Sequence, residues 1–182
     1  MTDEKLVRQA KAGDRAAFES LVKKYESRVA ATVIGMLGSC QAADDVGQEV
    51  FIRLFKYLAN FKEDASLATY ITRIAINLSL NELKRRKRRH FLFSGTDPED
   101  GEATQHPDET LYRSEEQRLV HRAIQRLEPE FRAVLVLRLI EGHSTQETAD
   151  ILGIPQGTVL SRLSRAQKKM KSYLTPFVQE EL

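Results

Sequence analysis

Apolar positions along this chain recur almost everywhere with the period of an α-helix, and strand-like alternation is nearly absent. A first helix is predicted from about Asp3 to Ala12, stopping at Gly13. Asp14 is placed to cap a second, in which Phe18, Leu21, Val22, Tyr25 and Val29 share one face and which ends at Gly38. A third is predicted over about Ala42–Ala59, with Val46, Val50, Phe51, Leu54 and Leu58 turned inward. A fourth covers about Ser66–Arg89, with Leu67, Ile71, Ile74, Ala75 and Leu78 facing the core. These four are expected to pack as one bundle. On the fourth helix Ile76, Leu80 and Leu83 form a second apolar line whose cover the sequence leaves open.

Residues 91–113 break the pattern with Gly, Pro, Ser, Thr and acids, the composition of a flexible linker. A second helical unit is predicted from Ser114, with Pro129 in a first helical turn and Gly142 after a last one. It ends in "STQETADILGIPQGTVLSRLSRAQKKMKSYL", which has the marks of a helix-turn-helix. Ser144 and Glu147 have capping-box spacing, Ala149 permits close helix contact, and Gly153 suits the left-handed corner. Val159, Leu163, Ala166 and Met170 then face inward, while Thr158, Ser161, Arg162, Arg165 and Lys169 face outward. That outward face is either an ordinary solvated basic surface or a reader of the DNA major groove. The coincidence of cap, corner and acid-free helix favours the second. The fold class expected is therefore all-α, with two small helical domains, 1–90 and 114–182, joined by an acidic linker.

The 182 residues are 41% apolar and 30% charged, as in a soluble globular protein. A net charge of only +2 hides strong segregation. "KRRKRR" (84–89) carries six cations, residues 94–110 carry six acids and no Lys or Arg, and Ile151–Gln179 carries five bases and no acid. Two basic patches flanking an acidic spacer point to a polyanion met at two places. Cys40 is the only cysteine, and the four histidines lack metal-ligand spacing, so no intramolecular disulfide, metal or cofactor is expected. No Gly-rich phosphate loop or nucleophile–base arrangement suggests an enzyme. Neither a signal peptide nor a membrane span is apparent, so a cytoplasmic protein without membrane insertion is expected. No sensing domain is expected after "TPFVQEEL".

Two helix faces hold candidate chemistry. On the fourth helix Tyr70, Arg73, Asn77, Asn81, Lys84 and Arg88 fall at i, i+3, i+7, i+11, i+14 and i+18, one row. A ring to stack on, amides for base edges and cations for phosphates suit a single strand of DNA; a solvated polar face is the equal alternative. On the third helix Asp45, Gln48, Glu49, Ile52 and Lys56 turn outward. An isoleucine among acids and an amide suits protein docking, although a plain solvated face is the simpler reading of that helix alone.

In their order these parts are similar to the extracytoplasmic-function (group IV) sigma factors of bacterial RNA polymerase, from about Leu6 to Leu174. "LVRQAKAGDRAAFESLVKKY" matches the opening of sigma domain 2, and "ADDVGQEVFIRLFKYLANF" the segment that docks on the polymerase. "ASLATYITRIAINLSLNELKRRKRR" matches the melting and −10 segment, and "GHSTQETADILGIPQGTVLSRLSRA" the −35 reader of domain 4. The resemblance implies that Asp45, Gln48, Glu49 and Ile52 hold the clamp helices of the largest subunit of core polymerase, whose second-largest subunit offers its flap to the chain. It implies that Lys62, Glu63, Asp64 and Ser66 form a base-capture loop, and that the fourth-helix row, with Arg85, melts and reads −10. Gln156, Thr158, Ser161, Arg162, Arg165 and Lys169 would read −35, the spacer would thread the polymerase channel, and an anti-sigma factor would silence the protein. Three positions depart from the family pattern: Tyr70 stands for a usual Trp, Gly47 for a branched apolar residue, and Leu160 for a usual Lys or Arg. The rival reading is a dimeric helix-turn-helix regulator binding a palindrome alone. A further alternative for "KRRKRR" is that it folds back onto "DPEDGE" in the free chain.

Overall fold

Gly13 and Asp14 separate the first two helices as expected: Asp14 Oδ1 accepts from the backbone N–H of Ala16 at 2.9 Å and of Ala17 at 3.2 Å, capping the second. The computed structural model of the chain describes residues 2–62, 65–94 and 114–178. Among them are eight α-helices and no strand: α1 (Asp3–Lys11), α2 (Arg15–Leu37), α3 (Gln41–Tyr57), α4 (Leu67–Ser94), α5 (Glu115–Gln125), α6 (Pro129–Leu135), α7 (Thr145–Leu152) and α8 (Gln156–Val178). A 3₁₀ turn follows α3 at Leu58–Asn60, and α6 runs on into a π turn at Val136–Ile140. The two-module all-α architecture is as the periodicity predicts. The predicted linker now begins later, because α4 continues through Phe91, Leu92 and Phe93 to Ser94. Residues 95–113, which carry "DPEDGE" and most of the linker, lie outside the described residues.

Helices α1–α4 form the first bundle. Leu21, Val29, Val50, Leu54, Ile71 and Ala75 are fully buried in it, and losing one such leucine side chain costs about 2–5 kcal/mol. The second module packs α8 across α5 and α6 through Ile124, Leu127, Phe131, Leu135 and Ala166. A smaller cluster of Val134, Ala149 and Val159, with Ile154 and Leu163 against it, locks the α7–α8 corner. Ser144 and Glu147 form the predicted capping box, and Gly153 takes the left-handed conformation at φ 65° that the corner demands.

The two modules are docked, a point the sequence left open. Ala133, Val136, Leu137 and Ile151 of the second join the core of the first, and Leu80 and Leu83 pack against this shared cluster beside fully buried Ile76. That answers what covers the second apolar line of α4. The seam is polar as well as apolar. α2 ends at Leu37, leaving its last carbonyls without intrahelical donors. Gln125 Nε2 donates to Gly35 O at 3.0 Å, and the Arg132 guanidinium donates to Met36 O at 2.6 Å. The second module thereby caps a helix of the first. Gly35 sits in the last turn of α2. A Cβ there would lie 3.1 and 3.2 Å from the γ-methyls of Val136, a tight contact that Val136 would have to relieve by giving way a few tenths of an ångström.

Candidate nucleic-acid interface

Ser66 opens α4: its Oγ accepts from Thr69 N–H at 3.1 Å and lies 2.9 Å from Thr69 Oγ1. Its hydroxyl is thus occupied in starting the helix. Lys62 is exposed; Glu63 and Asp64, the other members of the expected base-capture loop, lie outside the described residues. Tyr70 is half-buried, its ring 5.0 Å from that of buried Phe61. Lys11 secures Phe61 in turn, donating to its carbonyl at 2.7 Å. Neither Phe61 nor Lys11 was read from the sequence as a support for Tyr70, because their contact joins segments fifty positions apart.

Beyond Tyr70 the predicted row divides. Asn77, Asn81, Lys84 and Arg88 are exposed along one side of α4. Arg73 is half-buried and donates to the backbone carbonyl of Asp150 in α7 at 2.8 Å. The basic run divides too, around a residue that sequence reading passed over. Glu82 is only 7% exposed and receives Arg85 at 2.7 Å, Arg86 at 3.2 Å and Arg89 at 3.6 Å. Burial alone would raise its pKa, but the hydrogen bonds and charges of Arg85 and Arg86 hold it below the usual glutamate value. Arg86 also reaches Leu37 O and Cys40 Sγ, and so serves the bundle. Six like charges in a row are tolerable partly because this carboxylate lies beneath three of them. The signal was legible, since Glu82 stands at i−3, i−4 and i−7 from those arginines.

On α8 the inward stripe is as predicted, with Val159 and Ala166 fully buried. The outward face is rotated slightly from expectation. Gln156, Leu160, Ser161, Ser164, Arg165 and Lys168 are exposed. Thr158 is half-buried. Arg162 pairs with Glu130 at 3.2 Å, and Lys169 pairs with Glu128, so these two cations lie on the seam with α6. Ser164 and Lys168, one position from residues that were singled out, share the free face.

On α3 Asp45, Gln48 and Ile52 are exposed, and half-buried Glu49 pairs with Arg53 at 2.9 Å. Phe55, three residues after Ile52 on the same face, is 62% exposed and packs edge-on against Phe18. It extends the apolar part of the surface, and its i+3 spacing from Ile52 was the missed clue. No group of His, Cys, Asp or Glu suited to a metal occurs among the described residues. No described helix is long and apolar enough to cross a membrane.

Comparison with known proteins shows the family. The family model for Sigma-70 region 2 matches residues 21–89, which span α3 and the α4 row, and that for Sigma-70, region 4 matches residues 117–170, which span the helix-turn-helix. The RNA polymerase sigma-H factor of Pseudomonas aeruginosa is 35% identical over 98% of this chain and 96% of its own. The ECF RNA polymerase sigma-E factor of Escherichia coli K12 is 32% identical over 98% of this chain and 97% of its own. The chain is an extracytoplasmic-function sigma factor. Among solved structures, CnrH in complex with the cytosolic domain of CnrY aligns with a TM-score of 0.69 at 26% identity, over 96% of this chain and 97% of that one. The sigma factor RpoE of Bartonella quintana, in complex with the anti-sigma factor NepR, shares the fold at a TM-score of 0.71 and 22% identity, over 87% of this chain and 96% of that one. Sigma factors are transcription-initiation factors; within this family the two modules carry regions 2 and 4.

Proposed function

We propose that this sigma factor carries core RNA polymerase to promoters by gripping DNA with both modules. The first, residues 1–90, binds the clamp helices through Asp45, Gln48, Glu49 and Ile52, with Phe55 extending the apolar patch. Its α4 row separates the −10 strands: Tyr70 stacks on a displaced base, Asn77 and Asn81 meet base edges, and Lys84, Arg85 and Arg88 meet phosphates. Unstacking a base costs a few kcal/mol, offset by stacking and hydrogen bonds in the capture site, to which Lys62, Glu63, Asp64 and Ser66 contribute. The second module, residues 114–182, lays α8 in the major groove of −35, with Gln156, Thr158, Ser161 and Arg165 toward base edges and Arg162 and Lys169 toward the backbone. Residues 91–113 thread the polymerase between them. Leu139 and Ile140, exposed at the end of the π turn, offer an apolar surface to the flap.

One observation carries this reading: exposed amides and cations line α4 in the same chain, and the same order, as an acid-free recognition helix. Control by an anti-sigma factor in the cytoplasm follows by analogy with the complexes of CnrH and RpoE. The test is run-off transcription with core polymerase on a promoter library, scoring −35 and −10 together. Paired-element selection with stoichiometric co-elution of the chain and polymerase is expected. A symmetric footprint on palindromic duplex without polymerase would instead make the protein a conventional regulator.

A further inference from the structure

Helix α4 runs one turn further than its charges do. Beyond the basic run the same helix carries Phe91, Leu92 and Phe93, which are 55%, 79% and 89% exposed. Among the described residues no other three consecutive large apolar side chains stand open to water. Their register is informative. Tyr70, Arg73, Asn77, Asn81, Lys84 and Arg88 follow one line at steps of three and four, and Phe91 takes the next step, at i+21 from Tyr70. Leu92 lies just across that line, whereas Phe93 is turned about 140° from Tyr70 around the axis. The line therefore ends as it begins, on an aromatic ring.

The neighbouring cations decide what that ring can meet. Phe91 stands three residues beyond exposed Arg88, about 4.5 Å along the axis, between one and two stacked nucleotide steps of 3.4 Å. A strand whose phosphate pairs with Arg88 thus brings a neighbouring base to the height of the ring. An acidic peptide would satisfy the cations alone; a nucleotide supplies negative charge and a flat apolar face together. We propose that Phe91, with Leu92 at its edge, is a second base-stacking site, taking a nucleobase of the strand that Arg88 holds. The site rests on the reading of the α4 row as a DNA surface, and adds to it a sequence-tolerant anchor about 32 Å from Tyr70.

The chain has no tryptophan, so Phe91→Trp in the full-length protein places a single indole reporter at the site. Oligo-dA should quench its fluorescence, and a strand of equal length made of abasic sugar phosphates should not, since only bases stack. In anisotropy titrations with labelled oligo-dA, Phe91→Ala should weaken binding roughly tenfold and leave the salt dependence unchanged. Arg88→Ala should instead lower the salt slope by about 0.7, the signature of one lost phosphate contact on a single strand. Phe93→Ala, on another side of the helix, should do neither. Equal quenching by the abasic strand overturns the proposal, as do equal losses in Phe91→Ala and Phe93→Ala. A blue shift with phosphatidylglycerol vesicles in place of quenching by oligo-dA overturns it too, and makes the patch a membrane contact. None of these readouts needs polymerase. If they come out as expected and the chain directs no transcription, the stacking site stands and the promoter reading falls; paired-element transcription without quenching by oligo-dA removes the site alone.

Discussion

At the scale of single residues, the exposed and the engaged members of each face should behave differently. Arg165 is exposed on α8, whereas Arg162 is tied to Glu130. Arg165→Ala is expected to weaken −35 binding by about 1–3 kcal/mol. Arg162→Ala should weaken that binding less, since its guanidinium is already engaged by Glu130. Electrophoretic titration of a −35 duplex at fixed salt measures both. Asn77 is exposed mid-row on α4 and is free to meet a base edge. Asn77→Ala should leave closed complexes intact and slow promoter opening, as followed by permanganate reactivity of unpaired thymines; equal loss at both steps would make Asn77 a folding residue. The residues that sequence reading found most easily were those whose chemistry is local. Ser144, Glu147 and Gly153 act within one turn of chain, and each does what its spacing predicts. Phe61 and Lys11 were invisible because their roles come from contacts between distant segments.

At the scale of elements, α4 joins the face proposed to melt −10 to a cationic run, and Glu82 mediates between them. Removing its charge should have opposite effects on two measurable quantities. Glu82→Gln is expected to destabilise the fold by roughly 1–3 kcal/mol, through weakened hydrogen bonds to Arg85 and Arg86. The same change frees arginines for phosphate, so nonspecific duplex should bind more tightly and with a steeper dependence on salt. Denaturant melts and a salt titration decide the two parts separately. Helix boundaries on the N-terminal side were legible because Asp14 and the glycines punctuate them. The C-terminal end of α4 was not, since a charged run followed by Phe91–Phe93 reads equally well as the beginning of a linker.

At the scale of the whole molecule, the docking of the two modules was the least legible feature. Nothing local announces a contact between α2 and the α6 π turn, apart from a glycine in a helix that had no other use for it. The seam also brings acid sensitivity. His121 is buried beside Gly38; burial, with the Arg132 charge, pulls its pKa down from 6.5 to about 4. Burial depresses His143 as well, against the opposing pull of Glu147 and Glu141. Both histidines bind a proton more readily when unfolded, so stability is complete above about pH 6.5 and declines as pH falls toward 4. Thermal melts across that window should show the decline, and His121→Gln should flatten part of it.

One consequence of α4 being unbroken from Leu67 to Ser94 concerns measurement. From Tyr70 to Arg88 the helix rises about 27 Å at 1.5 Å per residue, the length of about eight base pairs of duplex at 3.4 Å each. On the proposed reading the helix is a rigid ruler, fixing how far from a base stacked on Tyr70 its last row cation can touch the strand. Inserting a single alanine after Asn81 would swing Lys84 and Arg88 about 100° around the axis while lengthening the rod by only about 1.5 Å. In a flexible basic arm that insertion would pass unnoticed; in this protein it should move the phosphate contacts off the strand that Tyr70 holds.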